Sequence, residues 1–189
     1  MRKIGILGGT FNPPHIGHLI MADGVCDAYG LDEVRLMPTA IPPHKQLADT
    51  ASPEQRLKMT ALATEGNSRL SVCDEEVAAG GVSYTVLTME RLIAKEPDAE
   101  FYFIIGGDMI DSLHTWRGID RLLTMVRFIG VRRPDTAGHT ELPISLADVP
   151  LIDISSTALR NRYCSQMTTS YLTPAAVDRY IRKERLYGS

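Results

Sequence analysis

Cysteine is scarce in this sequence. Cys26, Cys73 and Cys164 are an odd number without the close spacing of a zinc or redox motif, which excludes a disulfide framework and points to reduced thiols in a cytoplasm. Long apolar runs are missing too, the longest being about five residues where a spanning helix needs roughly 20. The amino terminus, Met1 to Gly9, is basic but interrupted by glycine, so it lacks the apolar stretch of about 7–15 residues that marks a signal peptide. No membrane association is expected. An excess of basic charge is absent as well, the net charge being −3, which is the wrong sign for a protein that coats nucleic acid. Two common nucleotide motifs are also lacking. Gly5, Gly8 and Gly9 do not have the GxGxxG spacing, no acid follows the second strand to hold a ribose, and no GxxxxGK[ST] occurs.

What is present describes an ordinary globular protein. The 189 residues are 44% hydrophobic and 23% charged, without repeats or low-complexity tracts, so a single domain covering 1–189 is expected. A chain of this size buries roughly 70% of its unfolded surface and needs no staple. Charge is uneven: Ile154 to Ser189 holds six Lys or Arg against two Asp or Glu, which suits a compact polyanion bound near one wall.

Short apolar runs alternate with longer amphipathic segments. Strands are predicted at Lys3–Leu7, Glu33–Met37, Leu70–Cys73, Phe101–Ile105, Arg127–Val131 and Leu151–Ile154. Helices are predicted over Ile16–Tyr29, after the Ser52-Pro53-Glu54-Gln55 capping box, from a Ser83 cap to Lys95, as two short pieces around Trp116, from Ser155-Ser156, and from Thr173-Pro174 to about Arg185. The order implies an α/β fold, a Rossmann-like, doubly wound parallel sheet with helices on both faces and a small C-terminal helical region. Gly8-Gly9, Gly106-Gly107, Arg133 and Ser155-Ser156 all follow strand ends, where such sheets bind ligands.

The strongest chemical signal is Gly8-Gly9-Thr10-Phe11-Asn12-Pro13-Pro14-His15-Ile16-Gly17-His18. Glycines permit close backbone approach to a phosphate. His15 and His18, three apart at a helix start, can share one face, and the N–H groups and dipole there attract an anion. A metal site of His15, His18 and His44 is an alternative use of the same side chains. Ile154-Ser155-Ser156-Thr157-Ala158-Leu159-Arg160 is a second phosphate-clamp pattern. Hydroxyls and amides cluster at a helix start, and an arginine one turn on can lean back over that end.

Together these runs resemble the (H/T)xGH and ISSTxxR signatures of the nucleotidyltransferase superfamily. Ile41-Pro42-Pro43-His44-Lys45, Ser83-Tyr84-Thr85, and Gly106-Gly107-Asp108 followed by Trp116 are similar to elements of the bacterial nicotinate mononucleotide adenylyltransferases. The resemblance implies adenylyl transfer from ATP to nicotinate mononucleotide, with release of pyrophosphate, in NAD biosynthesis. It implies ATP contacts from Gly8, Gly9, Thr10, Phe11, His15, His18, Ile105, Gly106, Asp108, Ser155, Ser156, Thr157 and Arg160, with His15, His18 and Arg160 catalytic. The acceptor falls to His44, Lys45, Tyr84, Thr85, Trp116 and Arg133. Mg²⁺ is expected mainly on the ATP phosphates, no protein metal ligands are assigned, and a homodimer is implied by the family alone. Asn12 stands where the family more often has aspartate, and Thr39 where asparagine is common.

Overall fold

The computed structural model describes residues 1–42, 51–131 and 140–189. Six strands form one sheet: β1 (Arg2–Gly9), β2 (Glu33–Pro38), β3 (Leu70–Val72), β4 (Ala99–Gly106), β5 (Arg127–Val131) and β6 (Ile144–Ala147). Their order is β3-β2-β1-β4-β5-β6, and every pairing is parallel. The helices are α1 (Ile16–Ala28), α2 (Pro53–Thr64), α3 (Glu75–Ala79), α4 (Thr85–Lys95), α5 (Gly107–Ile110), α6 (Ile119–Met125), α7 (Ser156–Cys164) and α8 (Ala175–Lys183).

Parallel strands covered on both faces must be apolar throughout, and alternate residues then serve opposite layers. Ile4, Ile6, Phe101, Phe103 and Phe128 pack with Val86, Met89 and Leu92 of α4 and Leu122 of α6. Their neighbours Leu7, Tyr102, Ile104 and Ile129 pack with Met21, Ala22 and Val25 of α1 on the other face. A third cluster joins Met59 and Ala63 of α2 to Tyr163 of α7 and Val177 and Ile181 of α8, and this is the C-terminal helical region. Because β1 lies between β2 and β4, the strand order reverses at the carboxyl ends of β1 and β4, which is where sheets of this kind bind ligands.

Two local expectations need correction. The last strand is β6 at Ile144–Ala147, paired with β5 from Phe128 opposite Ile144 to Val131 opposite Ala147. Leu151–Ile154 is instead an irregular approach to α7, its Ile154 buried against Gly17. Helix α4 is capped by Tyr84 rather than Ser83, because the Ser83 hydroxyl is engaged as acceptor of the Ala40 N–H at 2.9 Å. Helix α8 opens at Thr173-Pro174 as expected. The Thr173 hydroxyl donates to the Pro14 carbonyl at 2.9 Å, and Pro174 occupies the cap position. The short α3 was not anticipated, five residues being too few to show a helical period.

Two expectations follow for stability. A Cβ on Gly5 would lie 2.9 Å from both Leu31 Cδ1 and the stiff Val34 Cγ2, and 3.1 Å from Ile104 Cδ1. Gly5→Ala should therefore lose about 1–3 kcal/mol in urea unfolding. Burial pushes the Asp178 carboxyl up, but hydrogen bonds from Arg182, Thr169 and Tyr163 outweigh it and hold the group below its ordinary range. A carboxylate depressed in this way stabilises above its unfolded pKa and loses that contribution as pH falls through the folded one. Asp178→Asn should thus destabilise at neutral pH, and the gap from the parent protein should narrow below about pH 4.

Candidate active site

The loop after β1 turns at Phe11, which takes φ 48° with its ring buried beneath the chain. That ring meets the His18 imidazole edge-on at 4.9 Å. His15, buried as the cap of α1, stacks on His18 with ring centroids 3.6 Å apart and planes 21° from parallel. The His15 backbone N–H donates to His18 Nδ1 at 3.1 Å. An Nδ1 that accepts cannot carry the proton of a neutral ring, so Nε2 is the N–H donor of His18. The loop thereby sets both orientation and tautomer. Other amides of this turn are engaged: Ile16 N–H donates to the Leu172 carbonyl and His18 N–H to the His15 carbonyl, both at 3.0 Å. These amides are therefore committed within the protein.

Helix α7 arrives against this loop from the far end of the chain. Ser156 Oγ donates to the Pro13 carbonyl at 2.8 Å, and Arg160 Nη1 donates to the Asn12 carbonyl at 2.9 Å. Arg160 Nη2 reaches back one turn to Thr157 Oγ1 at 3.2 Å, so the guanidinium does lean over the start of its helix. Ser155 caps α7 by accepting the Ala158 N–H at 3.1 Å. Among the described residues no hydrogen bond takes the amides of Ser156 or Thr157. Ser155 and Thr157 are exposed, while Ser156 and Arg160 are half-buried. A Cβ on Gly17 would sit 2.9 Å from Ile154 Cγ2, so glycine there lets the two segments close on each other.

Gly8, Gly9 and Gly106 end β1 and β4 side by side. A Cβ on Gly8 would touch the Phe103 ring at 3.0 Å, whereas one on Gly106 would meet nothing within 4 Å. Ile105 is fully buried in β4 beneath this opening, and Asp108 is exposed in the first turn of α5, which Gly106 caps. Thr10 is half-buried beside Gly9. Among the described residues no three His, Cys, Asp or Glu side chains cluster to hold a metal ion, and His15 and His18 stack face to face rather than converging on a point.

A second wall stands on the α4 side. Trp116 is half-buried, edge-on to Phe103 at 5.8 Å and to Phe128 at 6.3 Å. It belongs to the core margin and still keeps part of its surface open. Arg117, not anticipated from the sequence, lies 4.5 Å over the Tyr84 ring. Gly118, at φ +70°, has Val86 only 3.2 Å from where its Cβ would be. Residues 116–118 and the start of α4 therefore pack together, with Thr85 as the first helical residue. Behind that turn, Thr88 Oγ1 donates to Glu76 Oε1 at 3.1 Å. Burial raises the Glu76 carboxyl above its ordinary range, against the pull of the Ser83 and Thr88 hydroxyls and Arg91.

Further contacts hold these walls in place, Arg56 and Tyr187 being residues that sequence reasoning missed. Asn12 Oδ1 accepts from Tyr187 Oη at 2.6 Å and from the Ala51 N–H at 3.3 Å. Arg56 binds three backbone carbonyls beneath the loop. None of these contacts follows a local pattern. His44, Lys45 and Arg133 lie outside the described residues.

Comparison with known proteins places the chain in a family. The family model described as Cytidylyltransferase-like matches residues 6–162. A Bacillus cereus (strain ATCC 10987) protein named "Probable nicotinate-nucleotide adenylyltransferase" is 49% identical over 189 residues, 100% of both chains. A Lactiplantibacillus plantarum protein of the same name is 49% identical over 186 residues, 98% of this chain and 88% of its own. Among solved structures, the Plasmodium falciparum nicotinic acid mononucleotide adenylyltransferase complexed with NaAD superposes with a TM-score of 0.82 at 20% identity, covering 100% of this chain and 98% of its own. That match bears out the Rossmann-like fold. By its full-length identity to curated relatives, this chain belongs to the nicotinate-nucleotide adenylyltransferases, within the cytidylyltransferase-like nucleotidyltransferases.

Proposed function

We propose that this protein transfers the adenylyl group of ATP to nicotinate mononucleotide, forming nicotinate adenine dinucleotide and pyrophosphate for NAD biosynthesis. The observation that carries the reading is the direct contact of the two phosphate-clamp segments, Ser156 to Pro13 and Arg160 to Asn12, above the switch between β1 and β4.

The chemistry asks little of the protein in proton transfer. A 5′-phosphate oxygen of the acceptor, already ionised at neutral pH, attacks the α-phosphorus of ATP. A new O–P bond forms, and the bond from the α-phosphorus to the bridging oxygen breaks, its electrons leaving with pyrophosphate. Rate enhancement then rests on alignment and on charge stabilisation. In this assignment His18 donates from Nε2 to a phosphate oxygen, its tautomer held by the His15 amide. Arg160 contributes its remaining N–H donors and the α7 turn its amides. His15 supports His18 by stacking. Mg²⁺ arriving with ATP would supply neutralisation of phosphate charge, and Asp108, exposed in the first turn of α5, is an acidic side chain that would face it.

On the acceptor side, the open part of Trp116 is the platform for a flat pyridine ring. The start of α4 at Tyr84 and Thr85 favours a carboxylate over a neutral amide. His44, Lys45 and Arg133 complete this reading from the family resemblance. Reduced cysteines, Cys26 and Cys73 buried and Cys164 exposed, fit a cytoplasmic protein. No helix of the described residues is long and apolar enough to cross a membrane. A homodimer, also from the resemblance, is tested by light scattering.

Pyrophosphate release from ATP with nicotinate or nicotinamide mononucleotide tests the reading directly. Faster product with the nicotinate form is expected. Product only with the amide overturns the acceptor assignment, and none with either pyridine nucleotide leaves an ATP-binding protein without this activity. His18→Ala should cut kcat about 10²–10³-fold while the KM for nicotinate mononucleotide changes severalfold at most, and an unchanged kcat contradicts the role given to the ring. Trp116→Leu should raise the acceptor KM about tenfold with little effect on the KM for ATP, whereas equal rises in both point to general loosening.

A further inference from the structure

Arg56 is an anomaly in an otherwise conventional core. It sits in the second turn of α2, and its side chain is among the largest fully buried in the protein, with 1% exposure. Among the described residues no carboxylate pairs with it. Its guanidinium is spent on backbone: Nη1 donates to the Thr10 carbonyl and Nη2 to the Ala40 carbonyl, each at 2.8 Å, and Nε to the Ala51 carbonyl at 3.3 Å. Burying a guanidinium against neutral backbone carbonyls is costly, and removal of its charge by proton loss is not open to it at physiological pH. A core that needed only cohesion would place a leucine or methionine here.

The three carbonyls show what the charge holds together. Thr10 lies in the loop assigned to the ATP phosphates. Ala40 follows β2, and its N–H donates to Ser83 Oγ, one residue before the Tyr84 cap of α4. Ala51 donates its own N–H to Asn12 Oδ1, so the third carbonyl also leads back to the phosphate loop. A single planar fork thus spans the wall that faces ATP and the wall that faces the acceptor. Lysine could not do the same, since a point charge on a flexible stem lacks the fixed divergence of Nη1, Nη2 and Nε.

We propose that Arg56 is a positioning residue for the transfer reaction: it fixes the Thr10 loop relative to the Ala40–Ser83–Tyr84 wall, and so sets the alignment of the acceptor phosphate with the α-phosphorus of ATP. It touches neither substrate. This rests on the adenylyl-transfer reading above, and the experiment separates the two.

The test compares Arg56→Lys with Met59→Ala, which opens the same helix's packing against Val177 and Ile181 of α8 and removes none of the hydrogen bonds that Arg56 makes to the walls. Both are assayed below their thermal transitions, with kcat normalised to folded protein. Arg56→Lys should lower kcat about 10- to 100-fold, as a misplacement near 1 Å does, with both KM values within about threefold, while Met59→Ala keeps kcat within about twofold at a similar loss of Tm. A kcat for Arg56→Lys within twofold of the parent protein overturns the proposal, as does an equal loss in Met59→Ala. A parent protein that releases no pyrophosphate sinks the adenylyl-transfer reading instead. Should Arg56→Lys fail to fold, amide hydrogen exchange on the unaltered protein decides. Adenosine 5′-(α,β-methylene)triphosphate alone should slow exchange at Ala40 and Ala51 as well as at residues 8–18. Protection confined to 8–18 and 154–160 overturns the proposal.

Discussion

Two hydrogen bonds between the ends of the chain define the candidate site. Ser156 and Arg160 reach backbone carbonyls of Pro13 and Asn12, more than 140 positions earlier in the chain. Backbone acceptors make the junction insensitive to which side chains occupy 12 and 13, but strict about the path of the loop. That path is held from several directions. Phe11 turns the chain at positive φ, Thr173 binds the Pro14 carbonyl, Tyr187 and Ala51 bind Asn12, and Arg56 binds Thr10. Under the proposed function, a polyanion meeting this loop would encounter donors held from behind, which is the condition under which electrostatic stabilisation needs no reorganisation.

The sheet supplies the place and the termini supply the charge. Gly8, Gly9 and Gly106 leave space at the carboxyl ends of neighbouring strands, while α7 brings arginine from the basic end of a chain that is acidic overall. On the opposite side, Trp116, Tyr84 and Arg117 form an aromatic and cationic wall whose backing is the Phe103 and Phe128 pair. Phe103 also lies directly under Gly8, so the loop after β1 and the aromatic wall rest on one side chain.

Much of this was legible in the amino-acid order, and the limits have physical causes. Strands β1 and β4 are apolar runs closed by glycine, β2 is closed by proline, and the Ser52–Gln55 capping box is a contiguous signal that the structure reproduces at 2.9 and 3.2 Å. The loop and α7 motifs are likewise contiguous, and their contact followed from the fold class. By contrast β6, with Ser145 and Leu146 exposed, is an edge strand without the apolar signature, so the neighbouring Leu151–Ile154 looked more like a strand than it did. Ser83 reads as a cap until its hydroxyl is seen to hold Ala40 instead. Arg56 is invisible for a deeper reason: its partners are backbone carbonyls at 46 and 16 positions' remove, and a carbonyl carries no residue type. In the sequence it reads as one more polar residue of an amphipathic helix.

The central claim is that the two terminal segments form one triphosphate site. A crystal structure of the protein with adenosine 5′-(α,β-methylene)triphosphate tests it most directly. The account expects phosphate oxygens within hydrogen-bond distance of both His18 Nε2 and the Ser156–Arg160 turn, above the carboxyl ends of β1 and β4. A triphosphate bound by one of these segments while the other faces solvent would contradict it.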